Sequence, residues 1–267
     1  MSMPQSSENA LLRFRNISKV FNPASVNEVT LFSDFSLDLD ENDFLSIVGS
    51  NGSGKTTLLN ILCGNIPIDG GGVYLRDKNI SGMTEFQRSA FIGRVFQDPA
   101  KGTCGSLTIL ENMALADNKG KSFGLRKGVG KIRVDYYRSQ LELLKMGLEN
   151  KIDLKVESLS GGQRQALALL ISTMTPIDLL VLDEHTAALD PKSSETVMEL
   201  TKTLVREKNL TTIMVTHNLR FAVEYGNRLL MMHEGASVLD LRGDEKKNCG
   251  IGDLLKVFNE ISIECGN

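Results

Sequence analysis

The sequence contains no apolar run approaching the ~18–20 residues that a bilayer crossing needs. Its longest candidates, residues 166–171 and 179–182, are short and flanked by polar positions. The opening MSMPQSSENALLRFRN lacks the charged start and apolar core of a secretory signal. The expectation is a soluble, intracellular chain that meets a membrane only through a partner. Cysteine and histidine are sparse. Cys63, Cys104, Cys249 and Cys265 show no C-x-x-C spacing, and only three histidines are present, which argues against a zinc site or a disulfide framework. A basic excess is also missing: the formal net charge is −3, against a protein whose main task is gripping nucleic acid.

What is present is ordinary globular material. The 267 residues are 41% hydrophobic and 24% charged, enough for one large α/β domain or a core with a smaller lobe. Alternating apolar residues over 12–20 and 35–39 predict half-buried strands. FLSIVG, ending at Gly49, suits a strand covered on both faces. The segment from Lys55 has helical spacing and stops at Gly64, a natural C-cap. Residues 72–75 and 91–96 predict further strands. Thr108 and Glu111 are spaced as a capping box for a helix, and Tyr137, Leu141 and Leu144 mark another, so residues 98–156 read as a mostly helical insert. Strand and helix then alternate again. IDLLVLDE is a buried strand, Asp190-Pro191 opens a helix to about Arg206, residues 210–215 form a strand and 219–225 a helix. Residues 228–232 and 236–241 read as a hairpin pair, followed by a polar turn and a short amphipathic helix. Strands separated by helices imply a mostly parallel sheet with ligands at the carboxyl ends of its strands.

Gly49, Ser50, Asn51, Gly52, Ser53, Gly54, Lys55 and Thr56, with Thr57 following, satisfy the P-loop pattern G-x-x-x-x-G-K-[S/T] between a strand and a helix. Glycines there let backbone N–H groups turn around phosphate oxygens at a helix N-terminus. Lys55 is expected to reach the β and γ phosphates, and Thr56 to ligate Mg²⁺. The strand IDLLVLDE ends in Asp183, suited to holding the metal, and Glu184, suited to act as general base on an attacking water. In LSGGQRQ, Ser160, Gly161, Gly162 and Gln163 open a helix and can offer a hydroxyl and bare backbone donors. Taken alone, that string reads as an ordinary helix N-cap with glycines.

LSGGQ resembles the signature of the ABC (ATP-binding cassette) ATPases, and other landmarks follow from the resemblance. Gln97 is similar to the glutamine that reaches Mg²⁺ and water, AALD at 187–190 to the loop at the dimer seam, and His217 to the histidine that contacts the γ-phosphate. Phe21 stands where the family often has an aromatic that stacks on adenine; a plain core phenylalanine is the alternative reading. The likeness spans about residues 12–241. It departs at His185, where the family commonly has proline, and at a long basic loop, 119–133, whose one aromatic, Phe123, speaks against nucleic-acid stacking. That loop reads as a solvated surface, with docking to headgroups or a permease as the alternative.

The resemblance implies an α/β fold: a P-loop NTPase, RecA-like core with a mostly parallel sheet, antiparallel strands towards both ends, and an inserted helical subdomain. The expected division is 1–97 with 157–242 as the core, 98–156 as the helical subdomain and 243–267 as a tail. It further implies ATP and Mg²⁺ as ligands, ATP hydrolysis, and a second ATP-binding subunit whose Ser160–Gln163 segment caps the γ-phosphate in trans. Other implied partners are transmembrane permease subunits, contacted near residues 103–115, and indirectly an extracellular substrate-binding protein, with no nucleic acid. The implied location is the cytoplasmic face of the membrane. The texture of DEHTAALDPK and GLRKG resembles bacterial importer ATPases of tryptophan/tyrosine-type uptake systems. A soluble single-cassette ATPase, for example in iron–sulfur assembly, is the alternative. A guanine-reading N-K-x-D segment is absent, as are the long coiled coils of repair ATPases.

Overall fold

The computed structural model describes residues 10–121 and 131–264. In chain order these form β1 (Ala10–Phe21), β2 (Val29–Asp40), β3 (Phe44–Gly49), α1 (Lys55–Cys63), β4 (Gly70–Leu75), β5 (Lys78–Asn79) and α2 (Glu85–Arg88). Next come β6 (Ile92–Val95), α3 (Ile109–Asp117), α4 (Lys131–Glu142), α5 (Gly161–Ser172), β7 (Leu179–Asp183) and α6 (Pro191–Lys208). The chain finishes with β8 (Thr211–Val215), α7 (Leu219–Glu224), β9 (Arg228–His233), β10 (Ala236–Arg242), α8 (Gly243–Asn248) and α9 (Ile251–Glu264). Two compact units result: Met1–Arg88 with Thr211–Asn267, and Ser89–Leu210.

The first unit holds two groups of strands. An antiparallel sheet in the order β2-β1-β4-β5 buries Leu12, Phe14, Ile17, Phe32 and Leu39. Phe35 packs its ring between Phe14 and Phe32, at centroid distances of 6.3 and 5.2 Å. The other group runs β10-β9-β3-β8, with β3 parallel to both β8 and β9 and β10 antiparallel to β9. All six residues of β3 are buried, as its uninterrupted apolar run requires of a strand covered on both faces. Buried cations close helix ends here. Arg88 donates to the carbonyls of Ile61 and Leu62 at the end of α1, and Lys246 to those of Val223 and Tyr225 at the end of α7. A positive charge at these positions meets both the orphan carbonyls and the negative end of the helix dipole.

In the second unit β6 and β7 pair in parallel, Val95 opposite Leu182. The helix α5 packs on β6, α3, α4 and α6, burying Ala166, Leu167, Leu169 and Leu170. The Thr108–Glu111 capping box forms at the start of α3. At its other end Asp117 accepts from Arg133 and Tyr137 of α4. Burial opposes ionisation of Asp117, but hydrogen bonds from Arg133 and Tyr137 and the charges of Arg133 and Lys121 outweigh it and keep the carboxyl below its usual range. Residues 122–130 of the basic loop, Phe123 among them, lie outside the described residues.

The compact units divide at 88/89 and 210/211, where the strand pair β6–β7 packs with the helices around α5. Residues 243–264 form two helices, not a turn and one helix, and they belong to the first unit: Leu254 is fully buried with Val48, Ala222, Leu229 and Met231, and Val257, Phe258 and Ile261 pack against that cluster. The short β5 and α2 have no periodicity of their own. β5 exists through its pairing with Tyr74 and Leu75.

Candidate functional site

In the first unit the P-loop leaves the end of β3 and enters α1. Gly49 ends the strand against β9: a Cβ there would sit 2.2 Å from the Met232 carbonyl oxygen, so no side chain fits without displacing backbone. Gly54 caps α1 in the left-handed region, φ 101°, and contributes no side-chain hydrogen bond. A helix N-terminus without a side-chain cap is the kind of end that suits an anion. Lys55 is 5% exposed. Its Nζ donates to the carbonyls of Gly49 and Ser50 at 2.9 and 2.8 Å, so the ammonium is held inside the curl of the loop. Asn51, Gly52 and Thr56 are exposed, Ser53 is buried and Thr57 half-buried. His217 lies two residues beyond β8, whose Val215 is opposite Ile47 of β3. The fold thus brings the P-loop and His217 to the carboxyl ends of neighbouring parallel strands. His217 is exposed in a tight turn whose neighbours Thr216 and Asn218 are bonded to each other at 3.0 Å. Phe21, half-buried at the end of β1, has Lys19 over its ring at 5.5 Å. The residue whose ring meets the loop is Phe32, 3.0 Å from where a Cβ of Gly54 would be.

The second unit repeats the arrangement of paired strand ends. Gln97, exposed, follows β6, and Asp183 closes β7 beside it. Asp183 accepts from Arg94 Nη2 at 2.7 Å, both side chains nearly buried, and Arg94 also lies over the Phe96 ring at 4.7 Å. Glu184 takes a left-handed φ of 49°, uncommon outside glycine and asparagine. Such strain concentrates at functional positions. His185 behind it is buried, its Nε2 3.2 Å from Thr201 Oγ1. That hydroxyl already donates to Val197 O, so Nε2 carries the proton. Burial pushes the His185 pKa down to about 4, and the departure from proline therefore supplies a neutral anchor between β7 and α6.

Ser160 caps α5 through a capping box: its Oγ accepts from Gln163 N and its own N–H donates to Gln163 Oε1. Ser160 and Gly161 are exposed, while Gly162 is buried against Ser193, whose Cβ lies 3.0 Å from where a Cβ of Gly162 would be. The capping glutamine shapes this end and leaves the Ser160 hydroxyl hydrogen to donate. The P-loop and His217 share one set of strand ends in the first unit, and Gln97 and Asp183 another in the second. The resemblance also pointed to residues 187–190; there Asp190 caps α6 by accepting from Ser193 N at 3.0 Å.

Several participants escaped the sequence reading. Arg94, a lone charge in an apolar strand, was detectable in principle, since a buried cation demands an anion. His233, with Nδ1 3.4 Å from Ser50 Oγ, and Gln165, which donates to Phe96 O at 2.9 Å, carry no local signal. Among the described residues no group of three or more His, Cys, Asp or Glu side chains could hold a metal. In the first unit the Thr56 hydroxyl, and in the second the Gln97 amide and the Asp183 carboxylate, are oxygen donors of the kind a hard cation such as Mg²⁺ takes. No helix among the described residues is long and apolar enough to cross a membrane.

Comparison with known proteins bears on this geometry. Residues 32–187 match the family described as ABC transporter. A tyrosine transport ATP-binding protein of Clostridioides difficile is 46% identical over 248 residues, covering 93% of this chain and 98% of that protein. A methionine import ATP-binding protein of Bacillus cereus is 31% identical over 229 residues, covering 84% of this chain and 64% of that protein. The solved dimeric, post-hydrolysis structure of an ATP-binding cassette bound to ADP and phosphate is similar with a TM-score of 0.73 at 27% identity, covering 86% of this chain and 98% of that one.

Proposed function

The chain belongs to the ABC transporter family, and from that premise we propose that it is the ATP-hydrolysing subunit of an importer for an aromatic amino acid. The observation that carries the ATPase reading is the cradle: a buried Lys55 held by the carbonyls of Gly49 and Ser50 at the uncapped N-terminus of α1. The amino-acid reading is supported by the tyrosine transport relative, which matches over nearly its whole length. The soluble assembly ATPase is not favoured, because the relatives just described are named for transport.

The chemistry follows from positioning and charge. The α1 amides and Lys55 hold the phosphates, with Phe21 at the base. Thr56, Asp183 and Gln97 would hold Mg²⁺, whose charge would offset that developing on the phosphate oxygens. Glu184 accepts the proton of the attacking water while His217 contacts the γ-phosphate. The exposed side of that phosphate is covered by Ser160, Gly161, Gly162 and Gln163 of a second copy. Two chains thus enclose two nucleotides and part after hydrolysis. The helical subdomain, 98–156, presents residues 103–115 to the permease. Leu115 is 53% exposed there. In this reading the subunit sits on the inner face of the cell membrane, and a substrate-binding protein delivers the solute outside.

Replacing Glu184 with Gln tests both halves. The expected result is retained ATP binding, turnover lowered by about 10²–10⁴-fold, a stable ATP-bound dimer on sizing, and cells that no longer accumulate labelled tyrosine. Normal turnover in that variant would remove Glu184 from the base role; undiminished tyrosine uptake would remove the substrate assignment.

A further inference from the structure

Gln165, on the second turn of α5, is wholly inaccessible to solvent. Its Nε2 donates to the Phe96 carbonyl at 2.9 Å. A carbonyl accepts only from the NH₂ side, so the orientation of the amide is fixed and Oε1 points the other way, buried and without a donor among the described residues. An unmet buried acceptor is unfavourable, and an apolar side chain of similar volume would avoid it. Stability alone does not account for an amide here.

The contact itself supplies a reason. Phe96 lies just beyond the last residue of β6 and immediately before Gln97. Gln165 pins its carbonyl to α5, and Arg94 covers its ring at 4.7 Å while holding Asp183 at 2.7 Å. A continuous series of contacts therefore runs from the first turns of α5 through Gln165, Phe96 and Arg94 to Asp183. Under the proposed function the two ends of that series serve different nucleotides: Gln97 and Asp183 the chain's own, Ser160 and Gly162 the one bound by the second copy.

Resting on that reading, we infer that Gln165 is a positioning residue. It ties the segment leading into Gln97 to the helix that caps the other nucleotide, so that closure at one site and alignment at the other occur together. Packed side chains and hydrogen bonds with a defined partner are the physical means by which such sites are coupled, and outer contacts of this kind typically change activity by about 10–100-fold when removed.

Gln165→Met keeps the volume, removes the donor and also removes the unmet oxygen. The expected result is a fall in kcat of about tenfold with KM, the affinity of the single chain for ATP and Tm unchanged. In the Glu184→Gln background, more ATP is then needed to drive dimer formation. Amide hydrogen exchange at Gln97 should quicken in Gln165→Met even without nucleotide. Wild-type kcat with wild-type exchange at Gln97 would overturn the inference. So would a loss of Tm and single-chain ATP affinity in step with kcat, because that pattern marks a general structural role. If Glu184→Gln with Gln165 intact fails to dimerise in ATP, the shared-nucleotide reading falls first and this inference with it.

Discussion

The helices α1 and α5 both begin at glycines and both are expected to face phosphate, yet their N-termini are built oppositely. At α1 the cap is Gly54, with no side-chain hydrogen bond, and the adjacent charge, Lys55, is folded onto the loop's own carbonyls. At α5 the cap is Ser160, satisfied in both directions by Gln163. The first end has no side-chain cap of its own. The second meets the N–H of its third residue internally and leaves Ser160 and Gly161 exposed. A tight cradle and a surface that must detach in each cycle make different demands. An uncapped end gains most from a permanent ligand, whereas a self-capped end stays folded when the nucleotide is elsewhere.

Lys55→Ala should give the largest effect and break the comparison if it does not. Removing the charge that the cradle encloses should weaken ATP binding by about two orders of magnitude, read by nucleotide titration of the single chain. An unchanged affinity would mean that the α1 end is not the phosphate site.

Acid should act on the unit that contains α5. The folded-state pKa of His185 is about 4, below the ~6.5 of an unfolded histidine. The unfolded chain therefore takes up the proton first. Stability is complete above about pH 6.5 and is lost as pH falls towards 4, by about 3 kcal/mol for this group. Urea titrations at stepped pH should show that slope, and His185→Gln should flatten it. A slope undiminished in the variant would place the acid sensitivity elsewhere.

Ser160→Ala sharpens the contrast at the smallest scale. Loss of the cap should destabilise α5 by about 1 kcal/mol, seen as faster amide exchange in its first turn. ATP affinity of the single chain should not change, since the cradle lies on α1. A drop in that affinity would show that the α5 end contributes before any dimer forms.

Much of the molecule was legible in local patterns because local physics builds it. The glycines and Lys55 of the loop, the apolar run of β3, the Thr108–Glu111 box and the Asp190-Pro191 helix start each act within a few residues, and each is found where expected. The strand IDLLVLDE ends at Asp183 as read, but nothing in it reveals the left-handed turn at Glu184. The burial of α9 was missed for a related reason: its apolar stripe shows a face, not the surface that the face will cover.

The sequence by itself determined which segments become strands and helices and where chemistry-bearing residues leave them, because periodicity, capping and glycine conformation are properties of neighbouring residues. Only the tertiary structure decided who meets whom across the chain: Arg94 with Asp183, Gln165 with Phe96, His233 with Ser50, and Arg88 with the end of α1. These contacts join residues 26 to 183 positions apart. Three of them exist because burying a polar or charged group requires a partner, and in all of them packing determines which one is within reach.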